Sequence, residues 1–288
     1  MGSGGLGLPD RDNYLETDAK SVELRSTYVA YAASLLHLAS ESEAQAEAEA
    51  TAVLKMETDL AKASLTRVER RDPHNTSHKM TIAELSALTP AIDWPRYFAT
   101  QDAAGVSSLN VSQPAFLRAM QTVLTSASMD DLKAYTCFHL LTTAAPEVSE
   151  PFRQASFDFY SKTLRGVPAL PPRWKTCVRM TDRMLGKALG QEFVRRTFTS
   201  EMKNTTRVMT EQVEAATKVE IGGLDWMSAA TKQEALRKLA AIRNKIGYPD
   251  KWRDCSALTE PPDDFFSNVT RASQVEGCTR VAQAGQAD

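Results

Sequence analysis

The stretch GLGLPDRDNYL, from Gly5 to Leu15, decides how the rest of the chain is read. Glycines at alternate positions imply a backbone that passes close to something, and a phosphate is one candidate. A phosphate loop needs a preceding strand, a third glycine or a Gly-Lys-Ser/Thr ending, and a helix whose amino terminus faces the anion. None of these follows Gly7. Pro9 fixes a turn, Asp10 and Asp12 are turn and cap residues, and a helical pattern starts only after Thr17 or Asp18. The stretch therefore reads as a structural entry loop into a helix.

Downstream, the apolar periodicity is helical almost throughout. From Lys20 to Ala39, residues Val22, Leu24, Tyr28, Tyr31, Leu35 and Leu38 fall at spacings of mostly three and four. A second helix is predicted over Glu41 to Arg70, rich in Ala, Glu and Lys, with Val53, Met56 and Leu60 as its packing stripe and its glutamates on a solvated face. RDPHNTSHKM, from Arg71 to Met80, breaks the pattern as a loop. Helices follow over Thr81–Leu88, Gln113–Thr125, Ser128–Ala144 and Ser149–Leu164, then over Lys175–Thr197 beyond the proline-rich VPALPPR. Two more cover Glu201–Val219 and Ser228–Ile246, the last with Ser228 as N-cap and with Gly247 and Pro249 ending it. One short strand is expected within Ser107–Val111, and no internal repeat is evident. The fold class is all-α.

With 288 residues, 42% of them hydrophobic, the chain can bury a substantial core. Its 34 basic and 36 acidic residues give a net charge of −2, which excludes a general pull toward nucleic acid or anionic membrane. No apolar run approaches the roughly 18 residues needed to span a bilayer. Met1-Gly2 departs from a myristoylation start because Leu6 replaces the favoured Ser or Thr. Cys137, Cys177, Cys255 and Cys278 form no Cys-x-x-Cys pair, which argues against zinc ribbons and thioredoxin-type chemistry and leaves disulfides open. Asn75, Asn110, Asn204 and Asn268 each begin an Asn-x-Ser/Thr sequon, a weak hint of glycosylation in a secreted eukaryotic chain.

Candidate chemistry is sparse. His74 and His78 are four apart, the spacing of the zinc-protease helix His-Glu-x-x-His, but Asn75 stands where the glutamate belongs. Pro73 and the polar run also oppose a helix there, so an exposed loop is expected. His37 and His139 sit among apolar neighbours as core or boundary histidines. No Gly-x-Ser-x-Gly elbow occurs, and Cys177 reads as structural. The four tryptophans read as core edges, too scattered to form a base-stacking platform.

Eight stretches in order resemble the neprilysin-like zinc metallopeptidases, a family that includes endothelin-converting enzymes and bacterial oligopeptidases. They are GLGLPDRDNYL, RDPHNTSHKM, LNVSQPAF (Leu109–Phe116), FDFYSKTLRG (Phe157–Gly166), PRWKTCV (Pro172–Val178), LGKALGQEFV (Leu185–Val194), LDWMSAATKQEALRKLAAI (Leu224–Ile242) and KIGYPDKWRD (Lys245–Asp254). The resemblance implies an all-α architecture of two lobes around a cavity, in which one zinc cleaves short peptides. Residues 1–275 would form the amino-terminal, lid-type helical region, and residues 276–288 a divergent, disordered or frameshifted tail.

The resemblance also implies departures. The family's segment before the Gly-Leu-Gly-Leu-Pro loop, its Asn-Ala-Tyr/Phe-Tyr substrate-binding strand, its His-Glu-x-x-His helix and its downstream Glu-x-x-x-Asp do not occur in this sequence. Similarity ends after Gln274, where VEGCTRVAQAGQAD follows, which suggests a frameshift, a mis-predicted exon end or a truncated gene, with Cys278 outside the family sequence. The expectation is a fragment of a zinc-dependent metalloendopeptidase, with no catalytic or metal-binding residues and no cofactor of its own. Zinc and oligopeptide substrates would belong to the full-length enzyme, and the partner would be the missing catalytic lobe. The compartment would be extracellular, periplasmic or membrane-anchored if the complete protein follows its family. The alternative is a non-enzymatic peptide-binding or regulatory module derived from the lid.

Overall fold

Asp18 starts the first long helix: its carboxylate accepts from the backbone N–H groups of Lys20 and Ser21, and α2 runs from Ala19 to Leu38 after a one-turn helix α1, Asp12–Leu15. Ser42 caps α3, Glu43–Lys62, in the same way. Between them Ser40 takes a left-handed φ of +86°, which lets the chain reverse so that α2 and α3 pack on each other. Ala46 and Ala50, one turn apart and each 1% exposed, let the two helices approach closely.

The computed structural model describes residues 1–101, 103–252, 254–256, 258 and 261–284, with side chains described up to residue 275. It divides into two compact units, Met1–Leu170 with Glu260–Asp288, and Pro171–Thr259.

In the first unit the α2–α3 pair is joined by α4 (Pro73–Thr76), α5 (Ile82–Leu88), α6 (Trp94–Thr100), α7 (Pro114–Ser126), α8 (Met129–Ala144), α9 (Glu150–Ser156) and α13 (Phe265–Ala284). A two-stranded antiparallel ribbon, β1 (Lys79–Thr81) on β2 (Ser108–Asn110), has Met80 opposite Leu109. One core gathers Tyr28, Tyr31, Leu35, Val53, Phe138 and Phe159. In it Tyr31 stacks on Phe159 at 4.8 Å, and Phe138 presents itself edge-on to Tyr28 and Tyr31. A second core gathers Leu60, Leu85, Trp94, Val111, Phe116 and Leu117. Leu60 lies on α3, so that helix borders both.

The all-α expectation holds, and several boundaries move. The second helix stops at Lys62 instead of continuing to Arg70, where only a single 3-10 turn, Glu69–Arg71, follows. RDPHNTSHKM is not all loop, because Asp72 caps α4 with Pro73 at its first position and the stretch ends in β1. Helix α6 has no counterpart among the helices expected from the sequence, although Asp93 caps it and Pro95 stands in its first turn. The helix predicted over Ser149–Leu164 is present, but Phe157–Thr163 is π-helical. Val22 and Leu38, placed on the buried stripe of α2, are exposed.

The second unit contains α10 (Arg173–Thr197), broken by non-helical geometry at Leu185, then α11 (Ser200–Gly223) and α12 (Ala229–Ala240), which packs on α11. The last helix ends at Ala240, short of the expected Ile246. None of the three carries a buried residue. Trp174, Phe193, Val213, Val219 and Trp226 are all more than half exposed, so Trp174 and Trp226 are not core edges. Gly247 takes φ +71°, and a Cβ there would stand 2.8 Å from the Phe198 ring. No described helix of either unit is long and apolar enough to cross a membrane.

Candidate functional site

Along α3 the apolar positions Val53 and Leu60 flank Glu57 at one turn on either side, which places a carboxylate on the buried face of the helix. Glu57 is 0% exposed. It corrects the reading of the α3 glutamates as a solvated face.

A carboxylate accepts hydrogen bonds and donates none when ionised, so its burial requires donors from every direction. Three surrounding segments aim donors at it, and a fourth sets a histidine beside it. Tyr14 of α1 donates to Oε2 at 2.7 Å, and Tyr28 of α2 donates to both oxygens at 2.9 and 2.8 Å. The Gly7 backbone N–H donates to Oε1 at 3.2 Å. His139 of α8 places Nε2 2.9 Å from Oε1, close enough for an ion pair but without hydrogen-bond alignment.

The entry loop is held from all sides by the same cluster. Leu8 N–H donates to Tyr14 Oη at 2.7 Å, so a relay runs from the backbone through the phenol to the carboxylate. Tyr160 donates to Gly7 O at 3.1 Å and Tyr135 to Gly5 O at 2.7 Å. This explains the alternating glycines. A Cβ on Gly7 would stand 2.0 Å from Tyr28 Oη, and one on Gly5, at φ +73°, would stand 2.2 Å from Tyr135 Oη. The backbone passes close to phenol hydroxyls, and no anion is needed to account for it.

Electrostatics keeps the phenols as donors. Burial first, then the charge of Glu57, pushes the Tyr14 and Tyr28 hydroxyls far above the usual phenol range, and the same two causes raise Tyr135. Below the loop, Asp10 is 5% exposed; it accepts from Asp12 N–H at 3.0 Å and pairs with Arg67, and Arg70 lies 3.6 Å away. Burial alone would raise the Asp10 carboxyl, but the Asp12 N–H and the two guanidiniums outweigh it and hold the group below its ordinary value.

The histidines do not converge. α4 ends at Thr76, so helical i, i+4 spacing is lost between His74 and His78. His74 is exposed, while His78 is half-buried and donates its backbone N–H to Asn110 Oδ1 at 2.7 Å. His37 places Nδ1 2.9 Å from Glu41 O at the α2–α3 turn. Among the described residues no group of three or more His, Cys, Asp or Glu side chains gathers as a metal site. The pair His74 and His78 therefore does not fit a zinc centre, which needs three protein ligands. Cys137 and Cys177 are free thiols, and the Cys278 side chain lies outside the described residues. Closed over and lined by phenols, the Glu57 cluster can fasten a loop but offers no reacting group to a substrate.

In the second unit, Lys203 Nζ lies 4.3 Å from the Tyr248 ring centroid and donates to Tyr248 O and Asp250 Oδ1 at 2.9 and 2.6 Å. An open cleft of about 550 Å³ there is lined by Phe198, Tyr248 and Trp252, with Glu192 and Arg195 among its walls.

Comparison with known proteins gives a consistent likeness. A family model described as peptidase family M13 matches residues 1–249. Endothelin-converting enzyme 1 of Mus musculus is 31% identical over 93% of this chain and 36% of its own length. An endothelin-converting enzyme homolog of Locusta migratoria is 27% identical over 94% of this chain and 40% of its own. Among solved structures, the zinc metalloprotease Zmp1 of Mycobacterium tuberculosis in its open state superposes with a TM-score of 0.86 at 30% identity, over 98% of this chain and 44% of that one. The chain thus spans well under half the length of these relatives.

Two outcomes test the cluster. Glu57→Gln keeps the shape but turns an NH2 toward donors, one of which, the Gly7 N–H, cannot reverse; the loss should be about 1–3 kcal/mol in urea denaturation. An unchanged midpoint would show that the carboxylate is not required. Because folding lowers the Asp10 proton affinity, its contribution is present above the unfolded carboxyl value of about 3.9 and fades as pH falls through the folded value. The stability gap between wild type and Asp10→Asn should therefore be steady near neutral pH and shrink below pH of about 4. A gap independent of pH would contradict this.

Proposed function

Because the chain belongs to peptidase family M13, we propose that it supplies the helical amino-terminal part of a zinc-dependent metalloendopeptidase acting on oligopeptides, and that alone it is catalytically silent. In this reading residues 1–275 are the lid-type helical region, and the zinc ligands, general base and substrate-binding strand lie on a catalytic lobe that these 288 residues do not carry. The observation that carries it is the family match together with the placement of the histidines. His37, His74, His78 and His139 stand on separate features of the fold, and the sequence contains no His-Glu-x-x-His. Zinc hydrolysis requires three protein ligands and an open fourth position, and these residues do not offer the set.

The exposed apolar side chains of α10 and α11 support the same reading. Surfaces of this kind pack on further polypeptide, and the partner proposed here is the zinc-bearing lobe. This chain's own residues then act as scaffold. The Glu57 cluster fixes the Gly5–Leu8 loop, and the helices form one wall of the space in which a peptide would be held.

A second reading, a peptide-binding module without catalysis, draws on the aromatic cleft formed by Phe198, Tyr248 and Trp252. One experiment separates the two. The purified chain is incubated with zinc and a fluorogenic oligopeptide, and binding of the same peptide is followed by calorimetry. No turnover and no saturable heat is the expected result. Turnover abolished by a chelator would overturn the silent-scaffold proposal, and saturable binding without turnover would favour the second reading.

A further inference from the structure

The proline-rich VPALPPR, Val167 to Arg173, plays no part in the reading above. The preceding helix stops at Gly166, whose φ of +69° turns the chain outward, and the Val167 N–H donates back to Ser161 O at 3.0 Å. From there to Pro172 the backbone is neither helix nor strand. The rings of Pro168, Pro171 and Pro172 fix φ at about −65°. Each also drives the residue before it, Val167, Leu170 or Pro171, toward extended backbone. Pro172 itself lies at φ −51° and ψ 142°, in the polyproline II region.

That helix has three residues per turn and no internal hydrogen bonds, so residues three apart share an edge. Val167 aligns with Leu170 and Pro168 with Pro171, which makes two apolar ridges, while Ala169 and Pro172 fall on the third edge. Val167, Pro168, Ala169 and Arg173 are exposed, and Leu170 and Pro171 are half-buried. Pro171 borders an open groove of about 390 Å³ together with Trp174 and Val178. Among the described residues no carbonyl from Val167 to Pro171 accepts a hydrogen bond; Pro172 O is the first that does, from Lys175 N–H at 3.0 Å. The surroundings are basic: Lys162, Arg165, Arg173, Lys175 and Arg179 lie between Asp158 and Asp182 with no acidic residue among them. Arg173 pairs with no carboxylate among the described residues.

We propose that Val167–Arg173 is a docking ligand for a protein domain of the SH3 type, whose groove is lined by aromatic rings and flanked by carboxylates. The pairs Val167-Pro168 and Leu170-Pro171 enter the groove. Indole and phenol donors of the partner reach the free carbonyls, and Arg173 meets the carboxylates in a charge-assisted pair. The spacing Pro-x-x-Pro-x-Arg sets the direction, with the arginine at the carboxyl end. Because three prolines pre-form the bound conformation, little ordering entropy opposes docking. The inference does not rest on the peptidase reading.

Calorimetry of the full chain against a panel of purified SH3 domains that take Pro-x-x-Pro-x-Arg peptides is the test. Saturable one-to-one binding to members of the panel is the expected result. Arg173→Glu should weaken it about tenfold or more, as should Pro168→Ala combined with Pro171→Ala, whereas Ala169→Ser should leave it unchanged. An acidic residue is favoured in the first turn of a helix, so Arg173→Glu keeps α10 and an unchanged thermal midpoint verifies it. No saturable heat with any domain of the panel, or wild-type affinity in Arg173→Glu, would overturn the proposal. A synthetic peptide of residues 166–175 must also compete with the full chain for the same domain, and failure to compete would overturn it too.

Discussion

An ionisable carboxylate with no access to water must be surrounded by donors, and Glu57 imposes that condition on the segments packed around it in the first unit. α1 answers it with a hydrogen bond from Tyr14, α2 with one from Tyr28 and the entry loop with one from the Gly7 amide, while α8 brings the His139 ring to 2.9 Å without hydrogen-bond alignment. Each donor is correctly placed only if its own segment is correctly docked. One side chain thereby couples the position of the loop to the packing of three helices. The apolar core through Tyr28, Tyr31, Phe138 and Phe159 supplies the bulk of the burial, and the Glu57 cluster fixes the register in which that burial occurs.

How much of this was legible depends on which physical signal each residue left. Long amphipathic helices and their starts were readable: Ser228 caps as expected, α2 begins directly after Asp18, and Val53, Met56 and Leu60 are buried. The alternating glycines showed that the backbone approaches something closely, but not that the neighbours are the hydroxyls of Tyr28 and Tyr135, which lie 21 and 130 residues away from Gly7 and Gly5 in sequence. Glu57 left a signal that composition concealed. It sits in register with Val53 and Leu60, yet among so many glutamates it looked like one more solvated charge. α6 and α4 were too short for periodicity, and only their Asp-Pro and Asp-x-Pro starts betrayed them. The π-helical turn at Phe157–Thr163 has no sequence signature at all.

The two units differ in a way that bears on function. The first has two buried cores and a satisfied polar centre; the second has three helices with no buried residue and large apolar side chains open to solvent. A polypeptide that spends Trp174, Phe193 and Trp226 on its surface loses the stabilisation those groups would give inside a core. The proposed role as one part of a larger peptidase accounts for both. On that proposal the first unit would serve as scaffold, and the second would present surface for a catalytic lobe to cover.

The central claim is that the Gly5–Leu8 loop is bolted to α3 through Glu57 and is not a surface segment resting on it. Native-state hydrogen exchange at the Gly7 and Leu8 amides tests this most directly, since both donate into the cluster. The account predicts that these two amides exchange only through the same global opening as the centre of α3. Exchange at the rate of a freely fraying terminus, with α3 still protected, would contradict it.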